Sequence, residues 1–364
     1  MNLQSSVMSK YVPILRSILS KTQLEYQAFY LHKNSIQAFN GERRLILSSP
    51  KINLNSEQIA VNGDVFADIM RISTQGEWAV RIEQQVCYLA NNNQNITLQL
   101  MQLNEVNMQI DLTDELLQGE LEAEKFKQAV KGVMFAASTG NSKPILQGVS
   151  LKIKNNQITF AATDGYKIAQ SSYHAQAQDL ETILSQKTLS TLLNLLDISP
   201  TTISLFKQGN NLIFKGKGEL DVDWIFETNV IAGSFPVYEQ FFTPSSKVFS
   251  CDAKLLQMAV SQAGVIVRDG QIVCLIFSAD QVLVKSSHVN LGSYQNCVPG
   301  HFENIEENQA HTLNFNLPML DKILRMFKDK INIHIKQTGP ILFAAQNNTD
   351  SIETSYVLLP FTAH

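Results

Sequence analysis

The sequence predicts an α+β protein made of three copies of one unit, each with two helices packed on antiparallel sheets. Three observations carry the prediction. A helix–hairpin–helix–hairpin order recurs along the chain. The turns between strands fall at matching places in each copy. Apolar residues alternate along the strands and recur at helical spacing between them. Of the 364 residues, 44% are apolar and 17% are charged, which supports a sizeable core and argues against disorder.

Each copy begins with a helix. SVMSKYVPILRSILSK, 6–21, sets Val7, Tyr11, Ile14, Leu15 and Ile18 on one face. Pro13 is tolerable there only near a helix start or at a kink. EAEKFKQAVKGVMFAAS, 122–138, does the same with Phe126, Ala129, Val130, Val133 and Met134. CDAKLLQMAVSQAGVIV, 251–267, repeats it with Leu255, Leu256, Ala259, Val260 and Ala263. A strand–turn–strand run follows each helix: AFYLHKNSIQAFNGERRLILSS, LQGVSLKIKNNQITFAATDGYKIAQSS and IVCLIFSADQVLVKSSHVNLGSYQN. Second helices come next, in VFADIMRIS, QKTLSTLLNLLDI and LPMLDKILRMFK. The closing hairpins are WAVRIEQQVCYLA, TISLFKQGNNLIFKG and INIHIKQTGPILFAA. They turn at Glu83-Gln84-Gln85, Lys207-Gln208-Gly209-Asn210 and Lys336-Gln337-Thr338-Gly339. The repeat is about 120 residues, the size of a whole domain. Three domains are expected, 1–118, 119–245 and 246–364.

Formal net charge is −4, so tight holding of nucleic acid through many phosphates is not expected. The predicted helices nevertheless carry cations: Lys10, Arg16 and Lys21 on the first, Lys125, Lys127 and Lys131 on the third, Arg71 and Lys187 on the second and fourth. Lys322, Arg325 and Lys328 recur every three residues on the last. They read either as a solvated face or as a basic lining for a nucleic-acid backbone. Cys87, Cys251, Cys274 and Cys297 are scattered and suggest neither zinc nor a disulfide framework. A reducing cytoplasm fits them. No apolar run is long enough to span a membrane, and the N-terminus lacks the order of a signal peptide.

The usual nucleotide, zinc-protease and hydrolase signatures are absent, and the histidines form no ligand-spaced pair. No enzyme activity, cofactor or metal is expected. The stretch Thr163-Asp164-Gly165-Tyr166-Lys167 still gathers a hydroxyl, a carboxylate, a glycine, a phenol and an amine. By itself it is a turn, a small active site around Asp164, or a bend that a partner reads.

Lys143-Pro144-Ile145-Leu146-Gln147-Gly148-Val149 and Ala162-Thr163-Asp164-Gly165-Tyr166-Lys167-Ile168-Ala169 resemble Arg-Pro-Ile-Leu-x-Gly-Val and Ala-Thr-Asp-Gly-(His/Tyr)-Arg-Leu-Ala. Those are patterns of the bacterial sliding clamp, the beta subunit of DNA polymerase III. GSFPVYEQFF, FNLPMLDKIL, TGPILF and YVLLPF resemble further segments of the family, in family order. The resemblance covers the second and third repeats. The first departs at KTQLEYQAFYLH, and the chain ends in Phe361-Thr362-Ala363-His364 where the family has Met-Arg-Leu.

The resemblance implies three clamp-type domains per chain and a head-to-tail dimeric ring of six domains. Such a ring would encircle double-stranded DNA without sequence preference, held by topology. An ATP-driven clamp loader would open it. It would tether a DNA polymerase through a short linear motif, roughly Gln-Leu-x-Leu-Phe. The peptide pocket would be formed by Leu146, Thr163, Gly165, Tyr166, Lys167, Ile168, Pro236, Gln240, Phe241, Asn316, Met319, Pro340, Val357, Leu358, Leu359, Pro360 and Phe361. Lys10, Lys21, Arg71, Lys127, Lys131, Lys143, Lys187 and Arg325 would face DNA. The alternative is a clamp-like adaptor that binds the same peptides but does not encircle DNA.

Overall fold

A computed structural model describes residues 1–54, 58–72, 76–92, 94–102, 110–140, 143–198, 201–267, 272–303, 310–336, 338–346 and 351–361. The first copy runs β1 (Asn2–Gln4), α1 (Ser5–Arg16), β2 (Ala28–His32), β3 (Ser35–Phe39), β4 (Arg43–Ser48), β5 (Ile52–Asn53), β6 (Ile59–Asn62), α2 (Gly63–Ile72), β7 (Glu77–Glu83), β8 (Val86–Asn91) and β9 (Gln94–Gln99). The second runs β10 (Leu117–Glu122), α3 (Ala123–Met134), β11 (Gly148–Lys154), β12 (Gln157–Thr163), β13 (Lys167–His174), β14 (Leu180–Ser185), α4 (Gln186–Leu196), β15 (Thr202–Gln208), β16 (Asn211–Gly218) and β17 (Val222–Asn229). The third runs β18 (Val248–Asp252), α5 (Ala253–Ile266), β19 (Ile272–Phe277), β20 (Gln281–His288), β21 (Gly292–Glu303), β22 (His311–Asn316), α6 (Leu317–Leu324), β23 (Lys330–His334), β24 (Ile341–Ala345) and β25 (Glu353–Leu358). The order strand, helix, strands, helix, strands is thus written three times. The first copy adds only the two-residue β5.

Strands run straight into helices because the last strand residue is also the helix cap. Asn62 Oδ1 accepts from Val65 N at 3.0 Å, and Ser185 Oγ from Thr188 N at 3.1 Å. Asp252 Oδ1 accepts from Leu255 N at 2.8 Å, and Asn316 Oδ1 from Met319 N at 3.1 Å. Each side chain satisfies an amide that the first helical turn leaves unpaired.

Two helices stop earlier than their apolar pattern. α1 ends at Arg16, three residues after Pro13. Ser17, Ile18 and Leu19 then close i→i−3 turns onto Ile14, Leu15 and Arg16. Lys21 therefore lies in the following loop and not on the helix. α6 ends at Leu324, so Arg325 is its C-cap and Lys328 lies beyond it. Gln337 in the third turn and the terminal residues 362–364 lie outside the described residues. Among the described residues no helix is long and apolar enough to cross a membrane.

The elements gather into two compact units. The first comprises Met1–Lys127, Ile153–Gln157 and Ala175–Ile231. Its sheets have the orders β5-β1-β7-β8-β9 and β10-β15-β16-β17-β4-β3-β2-β6. The larger one crosses from the first repeat to the second at β17–β4, where Trp224 lies opposite Leu47 and Phe226 opposite Leu45. Tyr11, Phe66, Trp78, Phe126, Phe214 and Trp224 are buried in this unit. Gly216 leaves room for the Trp224 ring, which a Cβ there would strike. Tyr11 donates to the Glu219 carbonyl at 2.8 Å, and burial followed by the Glu219 charge pushes its phenol up to about 12.

The second unit comprises Gln128–Lys152, Ile158–His174 and Ala232–His364. Its strands run β11-β12-β13-β25-β24-β23-β18-β21-β20-β19-β22. Here the second repeat meets the third at β13–β25, in antiparallel register from Lys167↔Leu358 to Ser172↔Glu353. Phe249 packs edge-on to Phe277 and Phe302, and Tyr356 lies between Phe135 and Phe327.

Candidate partner-binding site and cationic surface

The TDGYK turn joins β12 to β13 and closes on itself. Asp164 Oδ1 accepts from Tyr166 N at 2.9 Å and Lys167 N at 3.0 Å. Its Oδ2 pairs with the Lys167 ammonium. Thr163 Oγ accepts from Gly165 N at 3.0 Å and donates to the Lys167 carbonyl at 2.7 Å. Gly165 has φ +95°, a conformation that L side chains rarely adopt. The Asp164 carboxylate is thus committed to its own turn, as a lock and not as a general base. Lys167, expected on a pocket wall, is instead buried within the turn. What the turn presents outward is Tyr166, 63% exposed.

In the second unit three other segments reach this turn or β25 beside it. Leu359 N donates to the Tyr166 carbonyl at 2.9 Å, which carries the chain on past β25. Phe361 N donates to the Asn314 carbonyl at 2.7 Å and ties the end beside α6. A 3-10 turn, Glu239–Phe242, packs against β25, as does α6. Lys152 on β11 holds that turn through Glu239 at 2.9 Å, and this bond keeps the Glu239 carboxyl below its ordinary value. Phe235, Tyr238 and Phe242 stack edge to face along the same loop. At Gly233 a Cβ would meet Ile145, so the loop also runs against the 3-10 turn Pro144–Gln147 that carries Leu146.

The sequence-predicted residues divide by depth. Leu146, Ile168, Phe241, Asn316, Met319, Pro340 and Pro360 are half-buried. Pro236, Gln240, Leu359 and Phe361 are exposed, the last two at 43% and 47%. Thr163, Val357 and Leu358 are buried and support the surface from beneath. Val237, 76% exposed in the FPVYEQ loop, was missed. Nothing in an apolar residue beside a proline signals that it points outward. Together these segments put partly exposed apolar side chains around β25 and the turn beside it. That suits a short extended peptide.

Many predicted cations are already paired. Lys10 pairs with Glu219, and Arg71 lies 3.6 Å from Asp68. Lys127 reaches Glu124 at 2.6 Å and Asp197 at 3.4 Å, and these bonds, Glu124 first, raise its pKa. Arg325 binds Asp321 at 2.7 Å. Lys131 and Lys143 are exposed in the second unit. In the first unit, Lys21 and Lys187 are exposed and line one cleft of about 910 Å³. Among the described residues no group of three metal-ligating side chains occurs.

The Asp321 carboxylate clips α5 to α6. It accepts from Ser261 Oγ at 2.6 Å, Gln257 Nε2 at 2.9 Å and Arg325 Nε at 2.7 Å. Burial alone would raise its pKa, but the donations from Arg325, Ser261 and Gln257 outweigh that and lower it. A depressed folded-state pKa gives stability that is fully present above the unfolded carboxyl value of about 4 and is lost as pH falls below it. Asp321→Asn is therefore expected to lower stability near neutrality by about 1 kcal/mol and to shrink the loss below pH ~4. Urea midpoints measured across pH check this, and parallel acid limbs for the two proteins would overturn it.

The fold has solved counterparts along its whole length. It superposes on the DNA polymerase III beta subunit of Thermotoga maritima with a TM-score of 0.85 and 17% identity, covering 100% of this chain and 99% of that one. A DNA polymerase sliding clamp from Pseudomonas aeruginosa gives 0.87 and 16% at the same coverage. The architecture is that of a sliding clamp. Residues 120–237 match the family described as DNA polymerase III beta subunit, central domain. The beta sliding clamp of Mycoplasma capricolum subsp. capricolum is 26% identical over 288 residues, 77% of this chain and 73% of that protein. That of Staphylococcus aureus is 22% identical over 67% of this chain and 64% of its own length. Over about three quarters of its length the chain is similar in sequence to a bacterial beta sliding clamp, and it shares the fold of such clamps.

Proposed function

We propose that the chain is a DNA polymerase processivity factor: a non-catalytic cytoplasmic clamp that encircles duplex DNA and tethers partners through short peptides beside β25. The observation that carries this reading is the assembly of TDGYK, FPVYEQFF, NLPM and LLPF around one strand end, in a chain whose central residues match the beta-subunit family. Three domains, 1–118, 119–245 and 246–364, form half of a ring that a second copy closes head to tail. The net charge of −4 and the many paired helix cations keep attraction to phosphates weak, which favours sliding over holding. Partners held beside β25 gain effective concentration at the primer end without new chemistry.

The test is retention on DNA. The full chain, loaded with a clamp loader onto closed circular plasmid, is expected to co-elute with it and to fall off after linearisation. It should also lengthen polymerase products on a primed template. Peptide binding without retention on circles would identify the non-encircling adaptor instead.

A further inference from the structure

The cleft that gathers Lys21 and Lys187 has a third cation that the sequence did not single out. Arg43, first residue of β4, is only 8% exposed and lines the same cleft. A buried guanidinium ordinarily has a carboxylate partner. Its neighbour Arg44 has one in Glu227, at 3.5 Å. Arg43 has no carboxylate within ion-pair distance among the described residues. Its Nη1 donates to Thr191 Oγ at 3.2 Å and to the Lys187 carbonyl at 3.4 Å, and its Nη2 to the Ser17 carbonyl at 3.5 Å. All three acceptors are neutral, and the bonds are long. No protein acceptor among the described residues takes the Nε proton. Burial, partly opposed by the Glu42 charge, lowers the Arg43 pKa, as befits a cation without its counter-ion.

The sequence explains the geometry. Lys187, Thr191 and Asn194 recur at helical spacing and set one face of α4 against the β3–β4 turn. Asn40 Oδ1 caps that turn by accepting from Arg43 N at 2.8 Å, which fixes where the arginine begins. Lys21, Arg43 and Lys187 face a single carboxylate, Glu42, among the lining residues.

We propose that this cleft binds a phosphate group, with the Arg43 guanidinium as its fixed fork and Lys21 and Lys187 at its exposed rim. A planar fork of N–H donors matches phosphate oxygens in pairs, and phosphate supplies the anion that no side chain gives Arg43. The phosphate has two sources. One is the backbone of duplex DNA, which rests on the clamp reading. The other is a free phosphate group, which does not.

Two measurements on the full chain test the site. In the first, the thermal midpoint is compared in ~20 mM inorganic phosphate and in chloride at equal ionic strength. Phosphate is expected to raise the wild-type midpoint by about 2–3 °C. The rise should vanish in Arg43→Met and fall by at least half in Lys21→Ser/Lys187→Ser. In the second, anisotropy follows binding of a labelled blunt duplex across a salt series. A backbone phosphate at the site predicts that Arg43→Met lowers the slope of log K against log salt by about 1. An Arg43-dependent phosphate response with an unchanged slope assigns the site to free phosphate. If neither readout depends on Arg43 or on the two lysines, the proposal is overturned. Should Arg43→Met not fold, the lysine variant decides alone, since both lysines are exposed. Loss of retention on circular DNA would sink the clamp reading but leave the phosphate response standing.

Discussion

Replacing Leu359 and Phe361 together with alanine is expected to weaken binding of a Gln-Leu-x-Leu-Phe peptide roughly 100-fold. Each is a large apolar side chain, about half exposed, on the strand end where four segments meet. Covering such a side chain contributes about 1–2 kcal/mol, so losing two removes about 3 kcal/mol of affinity. The backbone should stay in place, because its anchors are main-chain bonds, from Leu359 N to the Tyr166 carbonyl and from Phe361 N to the Asn314 carbonyl. Stability should therefore change little while affinity collapses. Fluorescence polarisation with a labelled peptide, beside a urea titration of the same variant, separates the two. Affinity within twofold of wild type would mean that the peptide docks elsewhere or not at all.

The largest stability effect is expected at Asp164→Asn. The asparagine keeps an oxygen for the Tyr166 and Lys167 amides, so the turn retains its local bonds. What it loses is the charge opposite the Lys167 ammonium, in a pair whose side chains are only 9% and 15% exposed. Breaking a buried pair from one side is costly because the other charge stays behind. With some residual exposure, about 2–3 kcal/mol is expected. Adding Lys167→Met should recover most of that, since no orphan charge remains. The four urea titrations of the double-mutant cycle give the coupling directly. A single variant within 0.5 kcal/mol of wild type, by the error such cycles carry, would show that the pair is not structural.

The threefold repeat was legible because its signals are local. Strand alternation, helical spacing and polar turn residues act within a few positions, and all six predicted helices form. Helix ends were less legible. The apolar pattern of α1 continues through Ile18, yet the helix stops at Arg16, after a proline has removed one amide from its ladder. The site was legible only in part. Tyr166 and Leu359 stand where a partner could reach them, but Lys167 does not. Whether a lysine faces water or a carboxylate depends on the turn that its neighbours build. Arg43 left no trace in the sequence at all, because its burial depends on α4, which enters the chain more than a hundred residues later.

The ladders β17–β4 and β13–β25 have a consequence for how such a chain can be taken apart. The middle repeat gives one strand edge to the first repeat and another to the third. Excised at the repeat boundaries, it would carry two long, raw edges of unpaired amides and carbonyls, which are templates for aggregation. The repeats are therefore not interchangeable modules. Removing or transplanting the middle repeat opens both seams and doing so with an outer one opens one, so the threefold chain has to be engineered as a single piece.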